Sequence, residues 1–234
     1  MKYVLSISLL LLIGFSCNQQ TARIDSYEVH GIDVSHYQST IDWDTVAAQF
    51  IEFAFVKATE GLTYNDSLYC YNWEEMKRVG LKRGAYHFFR PRVSGEEQAR
   101  NFCNWVEIAT GDLPPVLDVE VLDDVSKEVL ITGIQEWLDQ VEIHFSIKPI
   151  LYTNLKFYNK YLAGKFDDYP IWIARYNTKE PRLACGRDWQ FWQYGNQGRI
   201  KGINGEVDFN VFKGDMDDLK SLCVTPTIPL SLAQ

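Results

Sequence analysis

Two acidic residues at the end of one short apolar run are the strongest chemical signal in the sequence. The run, residues 114–120, begins with two prolines and ends with Asp118 and Glu120. Such runs, bounded by chain-breaking residues, are typical of buried strands, in which residues two apart point to the same side. Two carboxylates on one face of a buried strand are costly to desolvate unless they are neutralised or used. The pattern therefore predicts that this acid pair belongs to an active site.

The bulk composition is that of a globular protein and argues against nucleic-acid binding. The chain has 234 residues, of which 46% are hydrophobic and 23% charged, which suffices for one large domain. Its formal net charge is -8, whereas a nucleic-acid binder needs a basic surface for phosphates. The cysteines and histidines show no CxxC or HxxxH spacing, so we expect no metal site and no cofactor.

The first 17 residues are typical of an export signal. Lys2 precedes an apolar stretch of about a dozen residues, too short to span a bilayer, and Cys17 follows it directly. This arrangement resembles the signal of bacterial lipoproteins, and it implies that Cys17 is lipidated. We therefore predict an exported, membrane-anchored lipoprotein of the cell envelope, with simple secretion as the alternative. In an oxidising compartment the other four cysteines could form two disulfides or stay unpaired.

The remaining chain divides into a polar tether (18–27), one folded domain (28–223) and a loose tail (224–234). Periodicity and breaker residues predict strands at 28–35, 53–61, 84–89, 114–120, 149–153, 170–176, 190–194 and 206–210. They predict helices at 43–50, 68–79, 94–108, 126–145, 155–162 and 215–222. Five strand–helix repeats followed by three strands, the last two forming a hairpin, indicate an α/β fold. We predict a TIM-like (β/α) barrel with a degenerate last third, roughly (β/α)5(β)3.

The barrel architecture predicts where further active-site residues lie. Active sites of such barrels lie at the carboxyl ends of the strands, which places Asp33 of the first strand beside Asp208 of the last. Asp118 and Glu120 then lie across the mouth. Clustered carboxylates raise one another's pKa, and a protonated acid beside ionised ones is what glycosidic cleavage requires. We expect four further side chains to converge there as substrate-binding residues: Tyr86, Tyr152, Trp172 and Gln193.

Six segments, in order along the chain, resemble motifs of the family 25 glycoside hydrolases, the Ch-type lysozymes. They are residues 31–38 (GIDVSHYQ), 55–61 (FVKATEG), 84–88 (GAYHF), 117–120 (LDVE), 172–176 (WIARY) and 207–210 (VDFN). The resemblance implies cleavage of the β-1,4 bond between N-acetylmuramic acid and N-acetylglucosamine in peptidoglycan strands. It implies Glu120 as the general acid and Asp118 as the group that orients the substrate acetamido group and stabilises a bicyclic intermediate. Asp33 and Asp208 would complete and tune the acidic cleft.

Two other functions stay open at this point. A non-catalytic glycan-binding protein could use the same barrel, although it would be expected to lack a key acid. A chitinase-like hydrolase is the second, although Pro114 and Val116 stand where further alternating acids would be expected. We expect a monomer. The segment after the sixth predicted strand carries Lys179, Arg182 and Arg187, for which the sequence suggests only solvation.

Overall fold

A single twisted sheet forms the centre of the protein. The structure, a computed structural model, describes residues 21–225; the segment predicted as an export signal, with Cys17, and residues 226–234 lie outside that range. The strands are β1 (His30–Val34), β2 (Phe53–Glu60), β3 (Tyr64–Asn65), β4 (Lys82–Phe88), β5 (Val116–Asp118), β6 (Ile150–Asn154), β7 (Ile171–Ala174), β8 (Phe191–Gly198) and β9 (Val207–Phe212). The helices are α1 (Trp43–Ala47), α2 (Tyr69–Arg78), α3 (Gly95–Trp105), α4 (Lys127–Phe145), α5 (Leu155–Phe157) and α6 (Met216–Leu222).

Eight of the nine strands close into a barrel. Their order is β1-β9-β8-β7-β6-β5-β4-β2, and β2 pairs back to β1. The first five barrel strands are each followed by a helix, and β7, β8 and β9 follow one another without one. The predicted α/β barrel with a degenerate last third is confirmed. The two-residue β3, which pairs only with β2 at the sheet edge, is not among the predicted strands.

Some element boundaries differ from the predicted ones for local reasons. Helix α1 is capped by Asp42, but it ends at Ala47, and Phe50 has a positive φ of 59° that a helix cannot accommodate. Strand β5 ends at Asp118, so Glu120 lies in the loop that follows. The helix predicted over 155–162 changes from α to π geometry at Tyr158–Leu162. Ser94 and Ser126 cap α3 and α4, and each accepts a hydrogen bond from a backbone N–H in the first turn of its helix.

Alternating side chains divide the barrel into an apolar floor and a polar mouth. Phe53 and Phe55 of β2 point inward, and their rings pack against Phe191, with centroids 5.2 and 5.3 Å away. Gly31 and Gly84 make room for them, since a Cβ there would lie 2.4 and 2.5 Å from the rings. Outward-facing residues of the same strands pack against the helices in a second apolar layer. The aromatic floor excludes water from below, so the polar side chains collect at one end.

Residues 21–27 form a strap along the barrel wall that no helix covers. Thr21 donates its backbone N–H to the carbonyl of Gln197 at 3.1 Å, which fastens the strap to the end of β8. The ring of Tyr27 lies 5.7 Å from Trp189 and 6.1 Å from Trp192, both on the outer side. The segment predicted as a tether is thus part of the fold from residue 21 onward. Its side chains shield apolar surface that the helix-free third of the barrel leaves open.

Two further features are the state of the cysteines and the search for membrane-spanning helices. Cys70, Cys103, Cys185 and Cys223 are all free thiols. Within residues 21–225, no helix combines the length and apolar character needed to cross a bilayer.

Candidate active site

A cavity of about 240 Å³ opens at the mouth of the barrel, and its lining brings the predicted residues together. All four predicted acids and all four predicted binding residues line it: Asp33, Asp118, Glu120, Asp208, Tyr86, Tyr152, Trp172 and Gln193. They come from seven of the eight barrel strands, with Glu120 in the loop directly after β5. Within the described residues, no group of three or more His, Cys, Asp or Glu side chains is arranged to hold a metal ion.

Asp208 lies at the mouth although it is near the amino end of its strand, and not at the carboxyl end where active-site residues of such barrels are expected. Strand β9 runs antiparallel to both of its neighbours, β1 and β8. Its first residues, and not its last, therefore lie at the catalytic end of the barrel. Asp33 and Asp208 are direct partners in the β1–β9 register. Residues directly opposite each other in an antiparallel pair lie about 4.5–5.5 Å apart at Cα, so the two carboxyls are forced into contact.

Two side-chain amides stabilise the ionised form of Asp33. Its Oδ2 accepts hydrogen bonds from Gln193 Nε2 at 2.9 Å and from Asn210 Nδ2 at 2.7 Å. Their orientation is fixed from behind, because Trp172 Nε1 donates to Asn210 Oδ1 at 2.8 Å and Tyr152 OH donates to Gln193 Oε1 at 2.8 Å. Each amide can then present only its N–H groups to the carboxylate. The outer network therefore prepares a donor-rich site for one negative charge.

This network decides which member of the Asp33–Asp208 pair carries a proton. Burial raises the pKa of Asp33 to about 6, although hydrogen bonds from Asn210, Gln193 and Asp208 act in the opposite direction. Burial, followed by the charge of Asp33, raises the pKa of Asp208 to about 9. Within residues 21–225, no side-chain amide donates a hydrogen bond to the Asp208 carboxyl, in contrast to Asp33. At neutral pH we infer that Asp208 is the protonated member and Asp33 the ionised one.

Asp118 and Glu120 lie together on the opposite wall. Asp118 is 6% exposed, and its Oδ1 is buried with no hydrogen-bond partner among residues 21–225. Burial raises the pKa of Asp118 well above its usual value, and the charges of Glu120 and Asp33 add to this effect. Burial and then the charge of Asp33 raise the pKa of Glu120, whereas a hydrogen bond from Asn154 lowers it. Both groups therefore favour protonation more than a solvated carboxyl does.

Three residues that sequence reasoning left unassigned also belong to the mouth. Lys57 is 8% exposed, lines the cavity and places its Nζ 2.6 Å from Glu60 Oε2. Tyr176 donates its hydroxyl to Gln193 at 3.2 Å, and Asn210 binds Asp33 as described. Lys57 and Asn210 lie two residues from the inward-facing Phe55 and Asp208, so the alternation that identified the acid pair could have found them.

The aromatic residues around the mouth differ in how much surface they offer. Trp172 is only 2% exposed, because its ring stacks on Phe55 with centroids 4.4 Å apart. It contributes to the cavity floor and to the orientation of Asn210. Tyr37 and Tyr176, by contrast, are 80% and 54% exposed and line the same cavity. Exposed rings at a polar cleft provide flat apolar faces of the kind that pack against a ligand ring.

Comparison with known proteins connects this geometry to one family. Residues 32–203 match the model described as glycosyl hydrolases family 25. "Uncharacterized protein YegX" of Escherichia coli (strain K12) is 44% identical over 201 residues, which span 84% of this chain and 74% of that protein. "Lysozyme M1" of Streptomyces globisporus is 33% identical over 213 residues, spanning 85% of this chain and 72% of that protein. A solved family 25 glycosyl hydrolase from Bacillus anthracis superposes with a TM-score of 0.81 at 32% identity, covering 88% of this chain and 99% of that chain.

Proposed function

The chain belongs to the glycosyl hydrolases of family 25, and on that premise we propose that it is a muramidase. It hydrolyses the β-1,4 bond between N-acetylmuramic acid and N-acetylglucosamine in peptidoglycan. The observation that carries this proposal is the buried Oδ1 of Asp118, which shares a cavity with Glu120 and has no hydrogen-bond partner within the described residues. A buried carboxylate oxygen needs a donor. The acetamido N–H of an N-acetylhexosamine is such a donor, and it lies next to the carbon at which the bond breaks.

In the proposed mechanism the two acids on this wall have different tasks. Glu120 donates its proton to the glycosidic oxygen as the C–O bond breaks and the electron pair leaves with that oxygen. Asp118 accepts a hydrogen bond from the acetamido N–H and so orients the acetamido group. The acetamido oxygen then attacks the anomeric carbon and forms a bicyclic intermediate. The hydrogen bond from the acetamido group and the positive charge of the intermediate both favour the ionised form of Asp118, whose negative charge then offsets that positive charge. Water then attacks the anomeric carbon and gives a proton to the Glu120 carboxylate, while the bond from that carbon to the acetamido oxygen breaks and its electron pair restores the neutral acetamido group.

In this scheme Asp33 acts through its negative charge, and Asp208 acts through the hydrogen bond that its proton donates. The ionised Asp33, held by two amides, raises the pKa of Glu120 and so keeps the acid protonated in the resting enzyme. It also adds negative potential around the developing positive charge on the sugar, where preorganised electrostatics has its largest effect. Protonated Asp208 completes the Asp33 site by donating a hydrogen bond to it, which keeps a second negative charge out of the cavity.

The pH dependence of activity tests the role of Asp33. Glu120 must be protonated to act, so kcat/KM is expected to fall at alkaline pH as its raised pKa is passed. In the Asp33→Asn variant the charge that raises this pKa is gone, and the alkaline limb should move to lower pH. The measurement is a kcat/KM–pH profile of both proteins on solubilised peptidoglycan. An unchanged alkaline limb in the variant would contradict the coupling.

Product analysis separates muramidase activity from the two other functions. Purified peptidoglycan and chitin oligomers are each incubated with the protein, and new reducing ends are identified by mass. We expect muramic acid ends from peptidoglycan. Glucosamine-type ends from either polymer would indicate a chitinase-like hydrolase instead. Binding to peptidoglycan with no new ends in either polymer would indicate a glycan-binding protein.

We also propose that the enzyme is an exported monomer held on a membrane by lipid at Cys17. The support for the anchor is the apolar stretch that precedes this cysteine. In a bacterial host, wild-type protein is expected in the membrane fraction and Cys17→Ala protein in the soluble fraction, as determined by fractionation and immunoblotting. Wild-type protein recovered entirely in the soluble fraction would favour simple secretion.

A further inference from the structure

A second and larger cavity lies on the outer side of the barrel. It is a groove of about 920 Å³, located where β7, β8 and β9 follow one another without helices. The segment 175–189 forms one wall, and Tyr27 of the strap forms part of another. The buried rings of Trp189 and Trp192 provide the floor. The mechanism above uses none of these residues.

The groove is basic, in contrast to the acidic protein around it. Among residues 21–225, two acidic residues line it, Glu180 and Asp188, although the chain has a formal net charge of -8. Five cationic side chains line the same groove: Arg175, Lys179, Arg182, Arg187 and Lys213. A local excess of positive charge in a concave surface attracts anions over a distance of about a Debye length.

Two of these cations are free to bind a ligand. Lys213 is paired with Asp188 at 2.6 Å, and the Arg187 guanidinium donates to two backbone carbonyls of residues 166–169. Lys179 and Arg182 are exposed, and within residues 21–225 their side chains make no ion pair or hydrogen bond. The first two cations therefore hold the wall of the groove in place, and the second two offer unpaired charge.

The groove and the active site share one rim. Arg175 lines the groove, and its neighbour Tyr176 lines the active-site cavity. On the adjacent strand, Trp192 lies in the groove floor and Gln193 in the active-site cavity. Backbone bonds from Arg175 to Gln193 (2.9 Å) and from Asn177 to Tyr194 (3.1 Å) continue the ladder beyond β7. The two cavities are thus separated by the thickness of one strand pair.

We propose that this groove binds the acidic peptide stem of the peptidoglycan strand whose sugar occupies the active site. The inference rests on the proposed muramidase function, because the stem is attached to the muramic acid residue. A stem of four or five residues spans about 13–18 Å when extended, enough to cross the rim and run down the groove. Its free carboxylates match Lys179 and Arg182. The enzyme therefore distinguishes strands that carry stems from bare glycan.

The test uses a double charge reversal in the full-length protein. Lys179→Glu with Arg182→Glu changes the unpaired cations without touching the active-site cavity. Lys77→Glu with Arg100→Glu, on the exposed sides of α2 and α3, is the matched control with the same change in net charge. Each protein is assayed on uncrosslinked strands that carry stems and on strands from which an amidase has removed them. KM and kcat are measured at low and at high salt.

We expect the groove variant to raise KM on stem-bearing strands roughly tenfold at low salt, with kcat unchanged. Its KM on stem-free strands should equal that of wild type, and high salt should reduce the difference between the two proteins. An unchanged KM on stem-bearing strands would overturn the inference, as would an equal rise on both substrates or an equal rise in the control. If wild type cleaves neither substrate, the muramidase function itself fails and this inference fails with it.

Discussion

Replacing Glu120 with glutamine is expected to lower kcat on peptidoglycan by about 10²- to 10⁴-fold, the contribution typical of a general acid. Glutamine has nearly the same shape, but it cannot donate a proton to a leaving oxygen. Glu120 lies in the loop after β5 and is only half-buried, so the substitution should leave the fold intact. The measurement is kcat on solubilised peptidoglycan, with a thermal melt to confirm folding.

A substrate with a better leaving group makes this test specific. In an aryl glycoside of the same sugar the leaving group is a phenolate, which departs with little need for protonation by a general acid. Glu120→Gln should therefore retain far more activity on the aryl glycoside than on peptidoglycan. Equal losses on both substrates would mean that Glu120 acts mainly through charge or position. Wild-type rates on peptidoglycan in a folded variant would remove Glu120 from the mechanism altogether.

Replacing Asp118 with asparagine is expected to separate activity from stability. The rate should fall by roughly 10²–10³-fold, because asparagine cannot balance the positive charge of a bicyclic intermediate. The folded protein should become more stable at pH 7. The pKa of Asp118 is raised by burial, so folding binds protons at this site and stability falls as pH rises through the interval between the unfolded and folded values. The asparagine side chain does not ionise, so the stability of the variant does not fall with pH at this site.

Thermal melts at two pH values measure the stability part. At pH 7 the melting temperature of Asp118→Asn should exceed that of wild type by a few degrees, since 1 kcal/mol corresponds to roughly 2–4 °C at this size. At pH 3, where the wild-type carboxyl is protonated in both states, the difference should vanish. Leu117→Ala, one residue away on the outward face, is the control and should destabilise at both pH values. A variant no more stable than wild type at pH 7 would contradict the uncompensated burial of Asp118.

The sequence was sufficient to predict the barrel and its acids because both depend on simple periodicities. Side-chain alternation in a strand has a period of two, so placing Asp118 inside the barrel required only the parity of one short run. Five strand–helix repeats then determined which end of the barrel is catalytic. Asp208 was predicted at the correct rim from the rule that active sites lie at the carboxyl ends of barrel strands. That rule does not apply to β9, which runs antiparallel to its neighbours. The predicted hairpin already required that reversal.

Other parts of the site depend on contacts between segments far apart in sequence. The amide orientations of Gln193 and Asn210 follow from Tyr152 and Trp172, and no local pattern encodes which end of an amide faces an acid. The strap could not be predicted either, because its polar residues resemble a linker until the helix-free wall of the barrel is known. The groove was missed for the same reason: its charges are spread over a segment without periodicity, and only the closed barrel makes them one surface.

The strap also determines how far an anchored enzyme could reach. Three residues separate Cys17 from Thr21, and fully extended they allow a span of at most about 14 Å. Thr21 is bonded to Gln197 at the catalytic end of β8, so the chain leaves the barrel beside its mouth and not at its base. With an acyl group on Cys17, this short connection would keep the mouth of the barrel close to the lipid surface. Such an enzyme would work on the innermost strands of the wall, and strands farther out than its own diameter would remain beyond it.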